Sequence, residues 1–155
     1  MKKKYILIYM FVSIFLCNSL KANDKITLLL DWFINPDHGP IIIAKEKEIF
    51  AQYGLEIEII PPANPSDPPK LVAAGKADIA ISYQPQLHMQ VHQGLPLVRI
   101  GTLVATPLNC LLVLKNGPIK SLSDLKNKKI GYSISGMEEA LLSAILKKVN
   151  IKETE

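Results

Sequence analysis

ITLLLDWFINPDHGPIIIAKEKEIFAQYG, residues 26–54, is the stretch from which the fold is read. Its apolar run at 26–30 has the pattern of a buried strand. Pro40 falls where a first helical turn tolerates proline. Ile42, Ile49, Phe50 and Tyr53 recur at helical spacing on one predicted face, and Gly54 supplies a C-terminal stop. In the next six residues Leu55, Ile57 and Ile59 alternate with Glu56 and Glu58, the period of a strand. Strand, helix and strand in so short a span is a βαβ unit, which requires parallel pairing. The predicted class is therefore α/β. The loop between first strand and helix, residues 31–39, holds the chain's single indole together with an amide, an imidazole and two carboxylates. Ligands of open α/β sheets bind where such loops lie, beyond the carboxyl ends of the strands.

Further along, five prolines within residues 61–69 predict an extended loop. A short helix over 70–74 and a third strand over 78–82 follow. The loop at 82–85 leads into a helix over 86–93. Strands are predicted over 96–105, 109–115 and 129–133, and a Ser-capped short helix over 121–125. Ser135 and Glu138 have the spacing of a capping box. The helix behind it places Met137, Leu141, Ala144 and Ile145 on one face. Trp32, Asn35, His38 and Tyr83 fall on two βα loops at the same sheet edge, which marks them as candidate ligand contacts.

Charge and cysteine content narrow the function classes. The chain has 155 residues, 48% of them hydrophobic, and a formal charge of +4. Four of the lysines lie in residues 1–22; the remainder carries fourteen basic and fourteen acidic residues. A neutral body offers no basic patch for nucleic acid. Residues 1–22 themselves read as a signal peptide: Lys2–Lys4, then an apolar stretch too short to span a bilayer, then small Ala22 before the cut. Bulky Leu16 disfavours the alternative, a lipid anchor on Cys17. Periplasmic localisation is the expectation. Cys110 is then the one cysteine of the mature chain, so no internal disulfide and no thiolate metal site is expected; its apolar neighbours predict a buried thiol. His88 and His92 are four apart but lack the glutamate and third ligand of a metalloprotease helix. The turn at 131–136 is equally compatible with an anion cradle and with a plain strand-to-helix turn.

Three stretches carry a family resemblance: LLLDWFINPDHGPIIIAKEKEIFAQYGLEIEII, PANPSDPPKLVAAGKADIAISYQP and QGLPLVRIGTLVATPLNCLLVLKNGPIKSLSDLKNKKIGYS. The chain resembles the thiamine-precursor binding proteins of bacterial ABC importers. They belong to a superfamily shared with sulfonate-binding proteins and the fungal thiamine pyrimidine synthase. The resemblance implies a periplasmic-binding-protein fold of type II, with the first lobe nearly complete over 23–112. Residues 113–155 would hold the crossover and a truncated start of the second lobe. It implies an aminopyrimidine ligand, an importer permease and ATPase as partners, membrane contact only through that transporter, and no cofactor, metal or catalysis. Trp32 and Asn35 match the family's first-loop motif, with His38 at the following helix, and Ser82 and Tyr83 match the loop after the third strand. The alternatives are a synthase-like enzyme and a binder of another small ligand such as a sulfonate. Against the enzyme stand Ser82 and Gln86, where the similar synthase has Lys and His, and the lack of its Cys-rich iron-binding stretch.

Export is directly checkable. The mature chain is expected to begin at Asn23 in intact-mass spectra of periplasmic material; an intact Met1 or a lipidated Cys17 refutes it.

Overall fold

The computed structural model describes residues 23–134 and 136–152. The signal peptide expected over 1–22 and the capping role expected of Ser135 lie outside the described residues. Three strands, β1 (Asp24–Leu29), β2 (Leu55–Ile60) and β3 (Ile79–Ala80), form a parallel sheet in the order β2-β1-β3. β1 is the central strand because its C-terminal end is apolar toward both faces: Leu28 and Leu29 are buried, and Leu30 directly after it is completely buried. Leu28, Leu30 and Ile57 form the main core, packed by Ile26, Ile41, Phe50, Leu55, Ile59, Ile79 and Ile81. β2 keeps Glu56 and Glu58 exposed on its other face, as its alternation predicts. Asp24 pairs with Leu55 and Leu29 with Ile60, so the βα loops after β1 and β3 emerge from the same end of the sheet.

The segment between β1 and β2 departs from a single helix. A 3₁₀ turn (Pro36–His38) leads into α1 (Gly39–Glu46), and a second short helix, α2 (Ile49–Gln52), follows. Glu48 sits between them at φ 55°, a left-handed conformation uncommon for a side-chain-bearing residue. The run Lys45–Glu48 is charged and exposed, and the helix breaks within it. The predicted common face therefore does not form: Ile41 and Phe50 pack on the core, while Ile49 and Tyr53 are exposed. Gly54, at φ 73°, turns the chain into β2 and accepts the Asp24 N–H at 2.8 Å.

Two helices begin earlier than their apolar pattern suggests. α3 (Pro68–Ala73) starts inside the proline loop, because Pro68 and Pro69 occupy first-turn positions that need no donor. α4 (Gln84–His92) starts two residues before the predicted Gln86, with Pro85 in its first turn. The predicted third strand shortens to two residues.

The larger correction is downstream. Residues 96–105, 109–115 and 129–133 are not strands. Their sequences have strand composition, but a strand requires a neighbour for its N–H and C=O groups, and β3 is too short to offer a long edge. Val98, Ile100, Leu112 and Leu114 are exposed, and so is Cys110, where a buried thiol was expected. The predicted short helix is a 3₁₀ turn (Leu122–Leu125) capped by Ser121 and Asp124. α5 (Met137–Lys148) closes the described chain. Its buried residues are Met137 and Leu146, not the whole predicted face: Ala144 is exposed. Leu125, Leu146 and Ile151 form a second, separate core.

Leu30→Ala removes a fully buried side chain directly after the central strand. It should cost about 2–5 kcal/mol of unfolding free energy by urea denaturation. Tyr53→Ala, at a site 78% exposed, should stay within roughly 0.5 kcal/mol of the parent.

Candidate ligand-binding site

Asp31 is the first residue past the buried run of β1, so its carboxylate emerges at the end of the sheet with the core directly behind it. A carboxylate in that position requires hydrogen bonds to both oxygens. One comes from the same loop. Asn35 starts the 3₁₀ turn: its Oδ1 accepts the Asp37 N–H at 2.9 Å and its Nδ2 donates to the Phe33 carbonyl at 3.0 Å. That turn buries His38 to 1% exposure. The His38 Nδ1 accepts the Asn35 N–H at 3.4 Å. The ring proton therefore sits on Nε2, which donates to Asp31 Oδ1 at 2.7 Å. The other partner comes from across the sheet. Tyr83, at the start of α4, donates its hydroxyl to Asp31 Oδ2 at 2.6 Å. Burial, the bond to Asp31, and the negative charges of Asp31, Glu138 and Asp37 together hold the Tyr83 phenol well above its ordinary value of 10.0.

Asp31, His38, Ser82 and Tyr83 all line a cleft of about 830 Å³. Its opposite wall is the extended segment 96–109. Ser82 Oγ donates to Gln86 Oε1 at 2.9 Å, and Gln86 is itself buried. Of the five candidate residues, then, three line one cleft, and His38 and Tyr83 meet on a single carboxylate. Trp32 and Asn35 lie on the same loop but outside the cleft lining. The Trp32 indole, 37% exposed, packs edge-on against Phe33 with ring centroids 5.6 Å apart, and both ends of the Asn35 amide are used within its own turn. In the sequence Asp31 is only one of the two carboxylates of the 31–39 loop. Its place directly after a buried strand is the signal that it must be a hydrogen-bonded hub.

A second cavity, about 540 Å³, lies between Cys110, Tyr132, Ser133 and α5. It includes the turn that was compatible with an anion cradle. There Glu138 accepts from the Ser133 N–H at 2.5 Å and the Ile134 N–H at 3.0 Å, while Glu139 accepts from the Gly136 N–H at 3.0 Å and from the Tyr132 hydroxyl. These bonds hold the Glu139 carboxyl below its usual range. The chain's own glutamates fill those donors. His88 and His92 are both exposed, and among the described residues no group of three potential ligands could hold a metal.

The chain has relatives among known proteins. The chain is 55% identical over 130 residues to a protein of Haemophilus influenzae named for thiamine biosynthesis, covering 84% of this chain and 41% of that one. It is 32% identical over 126 residues to the formylaminopyrimidine-binding protein of Halalkalibacterium halodurans, covering 81% and 38%. It is 34% identical over 115 residues to the 4-amino-5-hydroxymethyl-2-methylpyrimidine phosphate synthase of Legionella pneumophila, covering 74% and 36%. The chain spans about two-fifths of the length of the curated relatives it matches.

The raised phenol makes a signed prediction. Below pH 10 the proton is bound in both folded and unfolded chains, and the contribution of Tyr83 to stability is constant. Above it the unfolded chain releases the proton first, so stability falls as pH rises. Denaturation midpoints of Tyr83→Phe should decline less than those of the parent above pH 10; identical alkaline slopes would contradict the hydrogen-bonded burial of this phenol.

The family profile described as NMT1/THI5 like matches residues 35–155, which include the 3₁₀ turn and both halves of the Tyr83 loop, and the chain belongs to that family.

Proposed function

We propose that the cleft captures a thiamine-type aminopyrimidine, and that the chain acts as a substrate-binding protein in import rather than as an enzyme. The observation that carries this reading is the Asp31 carboxylate held between His38 Nε2–H and Tyr83 O–H. Each oxygen accepts one bond from the protein and keeps a further lone pair. Two acceptor oxygens in one fixed plane suit the paired N–H groups of an aminopyrimidine whose ring nitrogen carries a proton. No reaction is required of such a carboxylate; its partners fix its orientation, and binding energy follows from that preorganisation. Trp32 and Asn35 are assigned to the rim of the same site, and Ser82 to its wall.

The relative named for binding formylaminopyrimidine supports the ligand class, and the thiamine name of the Haemophilus influenzae protein agrees with it. Other relatives are named as synthases. Against that role here, the two positions that the resemblance gives to a Lys and a His hold Ser82 and Gln86, bonded to each other. A hydroxyl and an amide do not form an imine with an aldehyde, as an amine does. The wider reading follows from the same resemblance: residues 23–112 as the first lobe of a type II binding fold, 113–155 as the start of the second, a periplasmic location after export, and a permease and ATPase as partners.

Isothermal titration with 4-amino-5-hydroxymethyl-2-methylpyrimidine tests this. Asp31→Asn should weaken binding about 10- to 100-fold, the range of a charge-assisted hydrogen bond of roughly 1.5–3 kcal/mol. Tyr83→Phe should weaken it less, since one donor to Asp31 remains. Unchanged affinity in Asp31→Asn would remove the basis of the proposal.

A further inference from the structure

The cleft has a second polar wall that the aminopyrimidine reading leaves unused. Arg99 is the only arginine of the chain. Its Nη1 donates to Gln84 Oε1 at 2.8 Å. That bond fixes which end of the Gln84 amide is oxygen, so its Nε2 donates to His88 Nε2 at 2.7 Å. His88 Nε2 is thus an acceptor, and the imidazole carries its proton on Nδ1. Gln84, His88 and Arg99 all line the cleft that also holds Asp31 and Tyr83.

The chemistry of this wall is one-sided. The Gln84 amide is consumed between its two neighbours. What remains is donors: the Nδ1–H of His88 and four of the five N–H groups of the guanidinium. Asp31, Asp37 and Asp78 line the same cleft, yet among the described residues none of them forms an ion pair with Arg99. Asp78 accepts the Thr27 N–H at 2.8 Å, and Asp31 is engaged by His38 and Tyr83. A guanidinium held by a neutral amide, with its fork uncommitted, matches the planar pair of oxygens on a carboxylate or phosphate. Tyr83 reaches Asp31 and its chain neighbour Gln84 reaches Arg99, so adjacent residues at the start of α4 anchor the acceptor wall and the donor wall of one cleft.

We propose that Arg99, oriented by Gln84 and flanked by His88, is an oxyanion subsite of the cleft, and that the ligand carries a carboxylate or phosphate opposite the ring held at Asp31. This rests on the cleft being the ligand site. The ligand would then be bipolar, with N–H donors at one end and anionic oxygens at the other. A surface arginine bonded to a glutamine merely for packing would show no such preference.

Two probes separate the subsite from the reading it rests on. Inorganic phosphate, followed by ³¹P line broadening, reports on Arg99 without any pyrimidine. Calorimetry compares 4-amino-5-hydroxymethyl-2-methylpyrimidine with its phosphate ester. The ester should bind the parent at least about tenfold more tightly than the alcohol, and the advantage should shrink as salt approaches about 0.5 M, where exposed charges are screened. Arg99→Gln should abolish the phosphate broadening and bring the ester down to the alcohol. Gln84→Leu, which frees the guanidinium from its anchor, should reduce the preference severalfold. An ester no tighter than the alcohol, or a preference that survives Arg99→Gln, overturns the subsite. Loss of alcohol binding in Asp31→Asn with the phosphate effect still dependent on Arg99 supports both assignments. An alcohol that fails to bind the parent, beside a phosphate effect that Arg99→Gln removes, defeats the aminopyrimidine reading and leaves the subsite standing.

Discussion

The carboxylate of Asp31 is the constraint on which the site depends. A charge at the end of a buried strand is tolerated only where hydrogen bonds replace the water it has lost. Here they come from two separate parts of the chain, the 3₁₀ turn through His38 and the start of α4 through Tyr83. The same two bonds therefore satisfy Asp31 and fix the positions of the loops after β1 and β3. His38 does this while almost fully buried, because the Asn35 N–H on its other nitrogen determines which nitrogen donates. The polar chain from the Asn35 backbone through His38 to Asp31 and Tyr83 joins a strand end, a capped turn and a helix start. Recognition by a few polar atoms is strongest where supporting hydrogen bonds hold them in place beforehand.

How far the sequence reveals this follows from what each pattern encodes. The first two strands are legible because alternation and burial leave period-two signatures, and the unit between them forces parallel pairing. His38 and Tyr83 are legible as candidates because the topology sends both βα loops to one edge, where both line one cleft. Asp31 is harder: next to Leu30 it reads as the end of an apolar run, and only the fold reveals the two donors. The break at Glu48 is invisible to a periodicity argument, since the apolar positions on either side fit one continuous helix. The failure past residue 95 has another cause. Composition records which residues suit a pleated, half-buried surface, but no residue records whether a neighbouring strand is present. Arg99 and Gln84 escaped notice for the same reason as Asp31: exposed polar residues fifteen positions apart acquire meaning only when a cleft joins them.

The two cavities show how donors left over by helix starts are distributed. Just before α5 the N–H groups of Ser133, Ile134 and Gly136 meet Glu138 and Glu139, so these donors are taken by the helix's own side chains. At α4 no side chain caps the helix; Tyr83 at the N-cap position turns its hydroxyl to Asp31, and Gln84 spends its amide on Arg99 and His88. One helix start uses its polar side chains to finish itself, and the other uses them to shape a cleft. The difference traces to composition: glutamates in the first turn of α5 reach back to its own backbone, whereas the first turn of α4 offers a phenol, two amides and a proline, none of which can serve as an anionic cap. Small-molecule sites gather where a few polar groups converge without neutralising one another. By that measure the cleft between α4 and residues 96–109 suits the proposed recognition role better than the cavity against α5, whose donors are already taken.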